Sequence, residues 1–328
     1  MIKIVEIPNW TDAANCPVCE SPDLQQFCAN IQEIKPTTRW SICNNCNHVF
    51  VNPYPTKEWL DAFYREGYRS MTHNLEKEDP KAIPRRSAEE EMTRSMHVIN
   101  NIIRWRGEGQ IKHHLDIGSS TGALLASTMD RLGAELLVGV EPGTAWAEFS
   151  VESYKKFASA LKEQKVTRKD VPLGEFIIYP DIDKVPKSPK FDLVTIIHTL
   201  EHVIDPLDIL KKAAIRMRSK GFMMIMVPYL FGGHADPLMF PHLHVFTRET
   251  MTRLFESAGL ELALFETGIK EGHPFWPPPP DLTFIAYKIG AKPIVDKSRL
   301  LEVYLNTKTV ERRVMEAKRA LKPRYDMG

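Results

Sequence analysis

The sequence predicts an α/β fold: a mainly parallel β-sheet covered by helices on both faces, preceded by a small cysteine-rich module. Three observations carry this prediction. Residues 111–290 alternate short apolar runs with helical patterns, which is typical of parallel strands joined by crossover helices. Residues 1–55 carry two close cysteine pairs and few long apolar runs. The last two predicted strands follow each other without a helix between them, which indicates an antiparallel terminal hairpin.

The N-terminal module, residues 1–55, has too small an apolar content to fold without a staple such as a metal. Its two C-x2-C pairs are Cys16 with Cys19 and Cys43 with Cys46. Four thiolates suit tetrahedral Zn²⁺, and a closed four-cysteine site leaves no open position for catalysis. We therefore predict a structural zinc, with a redox C-x-x-C or an iron–sulfur cluster as the alternatives. The fifth cysteine, Cys28, is expected to be a small packing residue.

Residues 56–110 are predicted to form a helical linker or lid. Between Ser87 and Trp105, apolar residues recur at helical spacing with polar residues between them. The stripe consists of Met92, Met96, Ile99 and Ile103. Such a stripe is typical of a helix that packs on a core.

The α/β region, residues 111–290, contains seven predicted strands. They are His114–Ile117, Leu136–Val140, Phe176–Tyr179, Leu193–Ile197, Met223–Val227, Glu261–Thr267 and Leu282–Lys288. Helices are predicted to begin near Gly122, Ala145, Pro206 and Thr250. Four consecutive prolines, residues 277–280, make the loop between the last two strands extended. Residues 291–328 are predicted to form a C-terminal helical extension.

Composition narrows the classes of function. The chain has 328 residues and a formal net charge of +1, so no strong field favours nucleic acid or an anionic membrane. No run of about 20 apolar residues predicts a membrane span. The first residues lack the charged region and long apolar run of a signal peptide. Paired cysteines indicate metal binding in a reducing compartment, so we expect a cytoplasmic protein that binds neither nucleic acid nor membrane.

A glycine turn follows the first strand of the α/β region. Its pattern is D-x-G-x-x-x-G, with Asp116, Gly118 and Gly122, and Ser120 stands where a dinucleotide fingerprint has its middle glycine. Glu141 follows the next strand, where an acid can accept hydrogen bonds from both hydroxyls of a ribose. The pattern favours a ligand with a ribose and a cationic group over one with a pyrophosphate.

The run F-D-L-V-T-I-I-H-T-L-E-H-V-I-D-P begins as a buried strand and becomes polar at its carboxyl end, where ligands bind in open α/β sheets. Together with L-D-I-G-x-x-x-G and the acid at Glu141, this run resembles class I S-adenosylmethionine-dependent methyltransferases over residues 111–290. The resemblance implies a Rossmann-like fold of mostly parallel strands with an antiparallel terminal hairpin, and S-adenosylmethionine as the cofactor.

The N-terminal part is similar to a narrower family. The two cysteine pairs, followed by V-N-P-Y-P and Y-R-E-G-Y, resemble zinc-bearing C-methyltransferases, which include enzymes acting on nucleotide-linked deoxyketosugars. The resemblance implies a small polar acceptor, with a nucleotide sugar as one candidate. The sugar-modifying members place a Tyr shortly before their catalytic His. Here Met239 and Phe240 stand in that region, a departure that bears on the sugar but not on methyl transfer.

The resemblance also implies cofactor-binding residues. The methyl-donor loop would be formed by Asp116, Gly118, Ser120 and Gly122, with Glu141 holding the ribose. Asp181 and Ile182 would flank the adenine. Tyr68 would close the donor pocket, with packing between domains as its alternative.

Two histidines are the candidate general bases for a carbon or oxygen nucleophile. His198 ends the strand that faces the donor loop, and His242 matches the family's H-x-x-x-F-[ST] stretch. His202 and His244 are expected to be hydrogen-bonded structural residues. A metal held by Glu201 and His202 is an open alternative that rests on only two ligands.

Two other functions compete with methyl transfer. One is a catalytically inactive methyltransferase-like protein whose zinc module recruits a partner; the intact Asp116, Gly118 and Glu141 argue against it. The other is a nicotinamide oxidoreductase, against which the missing middle glycine argues. The sequence alone therefore favours the enzyme.

Overall fold

The computed structural model describes residues 10–29, 38–66, 82–106, 110–163, 173–229, 238, 240–267 and 281–291. Four sequence features lie outside these ranges: Tyr68, Met239, the four prolines at 277–280 and the C-terminal extension beyond residue 291. The side chain of Cys28 is also outside what is described. No helix in the described ranges is both long enough and apolar enough to cross a membrane.

The α/β part is built on one seven-stranded sheet. Its strands are β6 (His113–Ile117), β7 (Leu136–Val140), β8 (Glu175–Tyr179), β9 (Phe191–Ile197), β10 (Met217–Pro228), β12 (Leu260–Thr267) and β13 (Asp281–Lys288). The spatial order is β12-β13-β10-β9-β6-β7-β8, and β13 runs antiparallel between β10 and β12. The predicted mostly parallel sheet with an antiparallel terminal hairpin is confirmed.

Strand β10 begins earlier than its apolar run predicts. The run starts at Met223, whereas the strand starts at Met217. Pairing with β9 slips between Met217 and Phe222, so the polar residues there form an irregular extension of the strand. Alternation and apolar content report only the buried part of a strand, which is why the sequence missed this piece.

Helices cover both faces of the large sheet. They are α2 (Ala82–Arg106), α3 (Ala123–Leu132), α4 (Thr144–Glu163), α5 (Pro206–Arg216) and α6 (Arg248–Ser257). Of the apolar stripe predicted for α2, Ile99 is buried, together with Val98 and Ile102, in a core that includes Leu193 and Met224 of the sheet. Met92, at the other end of the predicted stripe, is 41% exposed, so the stripe does not face the core along its whole length. The lid region therefore shares a core with the α/β part.

Helix starts are specified by local chemistry. Asp205 accepts a hydrogen bond from the Asp208 amide, and Pro206 occupies the first turn of α5. Thr247 and Thr250 cap α6 reciprocally. These caps fix the residue at which each of the two helices begins.

The N-terminal module forms a second, antiparallel sheet. It contains β2 (Leu24–Ala29), β3 (Arg39–Cys43), β4 (Val49–Val51) and β11 (His244–Val245), while β1 (Trp10–Thr11) pairs with β5 (Tyr54–Pro55) and α1 (Lys57–Glu66) follows. Strand β11 comes from the chain after β10 but pairs with β4. The N-terminal module and the α/β part are thus joined by a shared sheet.

His244 is at the centre of this junction. One ring nitrogen lies 3.0 Å from Nε2 of His48, and the other lies 2.9 Å from the carbonyl oxygen of Val203. Burial lowers the pKa of His244 to about 4, so the ring is neutral. Through these two contacts, the His244 ring links β11 to His48 of the N-terminal module and to Val203 of the α/β part.

Candidate active site

A cavity of about 950 Å³ opens at the carboxyl ends of β6, β7 and β9. Helices α1 and α2 form one wall, and the loops that follow the three strands form the other. The predicted site residues that line it are Asp116, Gly118, Ser120, Glu141, Asp181, Ile182 and His198. Gly122 and His242 are not among the residues that line it.

The glycine turn lies close to side chains from segments that come later in the chain. Gly118 has φ +82°, and a Cβ atom there would collide with the Thr199 hydroxyl. Gly122 has φ +74° and leads into α3, where a Cβ atom would lie 2.9 Å from the Phe176 ring. Both positions need a residue without a side chain, for conformation and for space.

Asp116 is buried at the end of β6. Its Oδ1 accepts a hydrogen bond of 2.5 Å from the Thr195 hydroxyl, which itself lies 2.7 Å from Nε2 of His114. Burial raises the pKa of Asp116 to about 7, with the charges of Glu91 and Glu141 acting in the same direction. A cation bound beside Asp116 would favour its ionised form.

Glu141 is oriented by two backbone amides. Its Oε2 accepts from the Ser120 amide at 2.9 Å and its Oε1 from the Gly143 amide at 2.8 Å. Carboxylate oxygens accept more than one hydrogen bond each, so this arrangement presents an oriented acceptor to the cavity.

Glu91 is a site residue that the sequence did not reveal. It projects from α2 and accepts hydrogen bonds from the hydroxyl of Ser120 at 2.8 Å and from the amide and hydroxyl of Thr121. In the sequence it stands in a run of three glutamates, a pattern typical of a solvated helix face. Nothing local links it to a loop 29 residues away.

The adenine-side candidates lie just after β8. The Asp181 side chain accepts from the Asp183 amide at 2.7 Å and caps a short 3-10 turn, Ile182–Lys184. Ile182 is buried against the core. The pair therefore offers an acid and an apolar surface on the same wall of the cavity.

His198 lies between two carboxylates. Its Nε2 is 3.2 Å from Asp281 and its Nδ1 is 3.6 Å from Glu201. Burial lowers the pKa of His198, but the two acids outweigh burial and raise it to about 9. The ring is therefore an imidazolium at neutral pH. Asp281 is the first residue of β13, and the pairing of β13 with β10 brings it next to His198. The sequence alone did not predict this contact.

His202 lines the cavity, as His198 does. His242 does not line the cavity but lies next to the His202 ring. The His202 and His242 ring centroids are 4.8 Å apart, and Nδ1 of His202 is 3.3 Å from the carbonyl oxygen of Pro241. Burial lowers the pKa of His202 to about 3, so this ring is neutral. The structure brings three of the four histidines named above together and puts His244 at the junction between the sheets.

The four paired cysteines converge in the N-terminal module. Cys16 Sγ lies 3.6 Å from Cys46 Sγ, and Cys19 Sγ lies 3.5 Å from Cys43 Sγ. Sulfurs bound at about 2.3 Å to one tetrahedral zinc are about 3.8 Å apart. The four-sulfur cluster is compatible with a zinc module.

A family described as "Methyltransferase domain" matches residues 71–264, which is more than half of the chain. The chain belongs to this methyltransferase family. It is an S-adenosylmethionine-dependent methyltransferase, as its sheet order and the loop at the end of β6 also indicate. This assignment excludes the alternative of a nicotinamide oxidoreductase. No curated protein matches the chain.

The chain also has a low similarity to several solved structures. A chain from the complex of the Trm112 methyltransferase activator with a methyltransferase of Haloferax volcanii has 14% identity and a TM-score of 0.46, covering 70% of this methyltransferase and 97% of that chain. An S-adenosylmethionine-dependent methyltransferase from Clostridium acetobutylicum has 11% identity and a TM-score of 0.41, covering 60% and 91%. The CcbJ methyltransferase from Streptomyces caelestis has 14% identity and a TM-score of 0.44, covering 65% and 94%.

Proposed function

We propose that this methyltransferase binds S-adenosylmethionine along the loop from Asp116 to Gly122 and transfers its methyl group to a small polar acceptor in the same cavity. The observation that carries the proposal is the convergence of Asp116, Glu141 and Glu91 on one glycine turn. The donor carries an ammonium group and a sulfonium, so an acidic pocket suits it.

Each part of the donor has a candidate partner. Asp116 takes the ammonium group, directly or through water, and Glu141 takes the ribose hydroxyls. Gly118, Ser120 and Gly122 shape the loop. Asp181 and Ile182 flank the adenine, and Tyr68 closes the pocket. These roles are supported by the fact that Asp116, Glu141 and Asp181 all line the same cavity.

The acceptor is proposed to be a small polar metabolite, with a nucleotide-linked sugar as the leading class. Arg65 of α1 and Arg94 of α2 also line the cavity. Guanidinium groups bind phosphate oxygens in a bidentate manner, so they suit a diphosphate that anchors a sugar. The phosphates would then bind to Arg65 and Arg94, with the sugar extending toward His198.

The reaction is an in-line displacement at the donor's methyl carbon. The acceptor gives up a proton to a base and attacks the methyl group, and the carbon–sulfur electron pair returns to sulfur to give S-adenosylhomocysteine. We propose His242 or His198 as the base. His198 lines the cavity but holds a proton at neutral pH, so it acts as a base only after releasing that proton.

Four regions are proposed for the chain: a zinc module at 1–55, a helical lid at 56–110, the methyltransferase domain at 111–290 and an extension at 291–328. We propose that Cys16, Cys19, Cys43 and Cys46 hold a structural Zn²⁺. Metal analysis is expected to give one zinc per chain. Cys46→Ser should lose it, while Cys28→Ser, outside the pairs, should retain it; less than half an equivalent in the unmodified protein contradicts the zinc.

Calorimetry with S-adenosylmethionine tests the donor site. Asp116→Asn should bind the donor roughly 10–100-fold more weakly, because a hydrogen bond to a charged group is worth about 1.5–3 kcal/mol. Asp12→Asn, an exposed change in the N-terminal module, is the matched control. Equal affinity in both variants would remove Asp116 from the donor site.

A further inference from the structure

Glu201 is a buried carboxylate without hydrogen-bond donors. Its relative exposure is 1%, and neither side-chain oxygen accepts a hydrogen bond within the part of the chain that the structure describes. A buried charged group left in this state is costly, so such groups are normally paired or bound to a metal. The proposed methyl transfer assigns Glu201 no role.

The nearest protonated group, His198, does not donate a hydrogen bond to Glu201. His198 Nδ1 is 3.6 Å from Glu201, longer than a hydrogen bond, and the same ring faces Asp281 at 3.2 Å. Even a fully protonated His198 therefore shares one positive charge between two carboxylates. His198 alone therefore leaves Glu201 with capacity to bind a further cation.

The neighbouring His202 presents a lone pair to Glu201. Its Nδ1 faces the carbonyl oxygen of Pro241 at 3.3 Å, and a carbonyl only accepts, so the ring proton is on Nδ1. The unprotonated Nε2 then lies 3.8 Å from Oε1 of Glu201. Nε2 of His202 and Oε1 of Glu201 are therefore two potential ligand atoms close enough to bind one ion. A ring whose second nitrogen donates to a backbone carbonyl is also how metal-binding histidines are usually oriented.

His242 completes a set of three ligands. One ligand atom from each of Glu201, His202 and His242 lies within 4.8 Å of the other two. Ligands bonded to one ion at about 2.0–2.2 Å are about 3–4 Å apart, so small side-chain shifts would complete the coordination.

We propose that Glu201, His202 and His242 bind a divalent transition-metal ion beside the cavity, separate from the four-cysteine site. Two imidazoles and one carboxylate suit Mn²⁺, Fe²⁺, Co²⁺ or Zn²⁺ better than Mg²⁺. Three protein ligands leave open coordination positions. Because His202 lines the cavity, we expect these positions to face the acceptor.

The catalytic role of this ion rests on the proposed function. Binding of the ion to the three residues does not depend on that function. An ion held by these three residues would make a bound acceptor oxygen lose its proton more readily, because it would stabilise the resulting anion. The site would therefore favour acceptors that carry a hydroxyl or an enolisable carbonyl next to the methylated atom. His242 would then be a ligand, and the acceptor's proton would pass to solvent or to His198 after that ring has released its own proton.

Titration of the full-length protein with Mn²⁺, followed by electron paramagnetic resonance of the free ion, tests the site. Mn²⁺ prefers oxygen and nitrogen ligands, so the thiolates of the cysteine cluster compete weakly for it. We expect one Mn²⁺ per chain. Glu201→Gln, which preserves shape, and His242→Ala should each weaken binding at least about tenfold. His97→Ala, an exposed position on α2, should bind as the unmodified protein does.

Three results would overturn the site: no Mn²⁺ bound to the unmodified protein at millimolar concentration, binding unchanged in both ligand variants, or binding lost equally in His97→Ala. If Glu201→Gln fails to fold, His242→Ala and the unmodified protein still decide. Calorimetry with S-adenosylmethionine on the same samples separates the two proposals. Donor binding without Mn²⁺ binding rejects the metal alone, whereas Mn²⁺ binding without donor binding rejects the proposed function.

Discussion

The two ends of the cavity are built in different ways. The core of the donor end is a single strand–turn–helix, with Asp116 and Gly118 within three residues and Glu141 one strand later, to which Glu91 of α2 and the segment after β8 are added. The acceptor end is assembled from parts far apart in the chain: the end of β9, the start of β13 and the segment before β11. A donor common to many reactions suits a local, contiguous site, whereas acceptor recognition depends on tertiary contacts. The predictions below probe that contrast.

The largest expected effect is at the acceptor end. His242→Ala should lower turnover by about 10²–10⁴-fold while the affinity for S-adenosylmethionine is unchanged, because His242, whether it acts as the base or as a metal ligand, acts on the reaction step. S-adenosylhomocysteine formation, measured by mass spectrometry with a panel of nucleotide-linked ketosugars, reports turnover. Calorimetry reports the donor affinity.

Two companion measurements sharpen this result. His97→Ala should retain full turnover. Exchange of acceptor hydrogen with D2O in the presence of S-adenosylhomocysteine reports proton removal without methyl transfer, so its loss in His242→Ala or in His198→Asn identifies which residue supports this step. Unchanged turnover in His242→Ala would remove His242 from the mechanism.

The next effect is at the donor end. Gly118→Ala should abolish measurable donor binding and lower the free energy of unfolding by roughly 1–3 kcal/mol, because a Cβ atom at φ +82° is strained and collides with Thr199. Gly259→Ala is the matched control, since its φ is +74° with no atom within 4 Å of the added carbon. Urea unfolding of both variants separates strain from collision; equal losses would show that the contact with Thr199 does not matter.

The sequence predicts the donor end of the cavity better than the acceptor end, because the donor end is formed mainly by residues close together in the chain. The strands of the large sheet and the glycine turn were predicted because buried strands are apolar runs and because a turn with positive φ needs glycine. The cysteine cluster was predicted because ligand spacing is local. Asp281 beside His198 and Glu91 on the donor loop were missed, since their partners lie 83 and 29 residues away. Strand β11 was missed because it has only two residues, too few to show the alternation of apolar and polar residues that predicts a strand.

A smaller effect concerns the pH dependence of donor binding. Burial raises the pKa of Asp116 to about 7, so the group is protonated below that pH and ionised above it. The donor's ammonium group binds the ionised form, and the donor affinity should therefore fall about tenfold per pH unit once the pH is well below 7. Calorimetry between pH 5.5 and 8.5 measures this. Asp116→Asn should flatten the profile, and an unmodified protein whose affinity is constant over this range would contradict the assignment.

The smallest effect tests whether the lid belongs to the donor end. Glu91→Gln keeps the shape of the side chain but removes its charge and one of its two acceptor oxygens, so the variant can accept from Ser120 or from Thr121 but not from both. Donor affinity should fall only a few-fold, because a neutral acceptor replaces a charged one and the difference is worth about 1 kcal/mol. Glu90→Gln, one residue earlier on the exposed side of α2, should bind the donor as the unmodified protein does. A rise in affinity for Glu91→Gln would instead mean that Glu91 competes with the donor for the Thr121 amide, and that the helix must move before the cofactor binds.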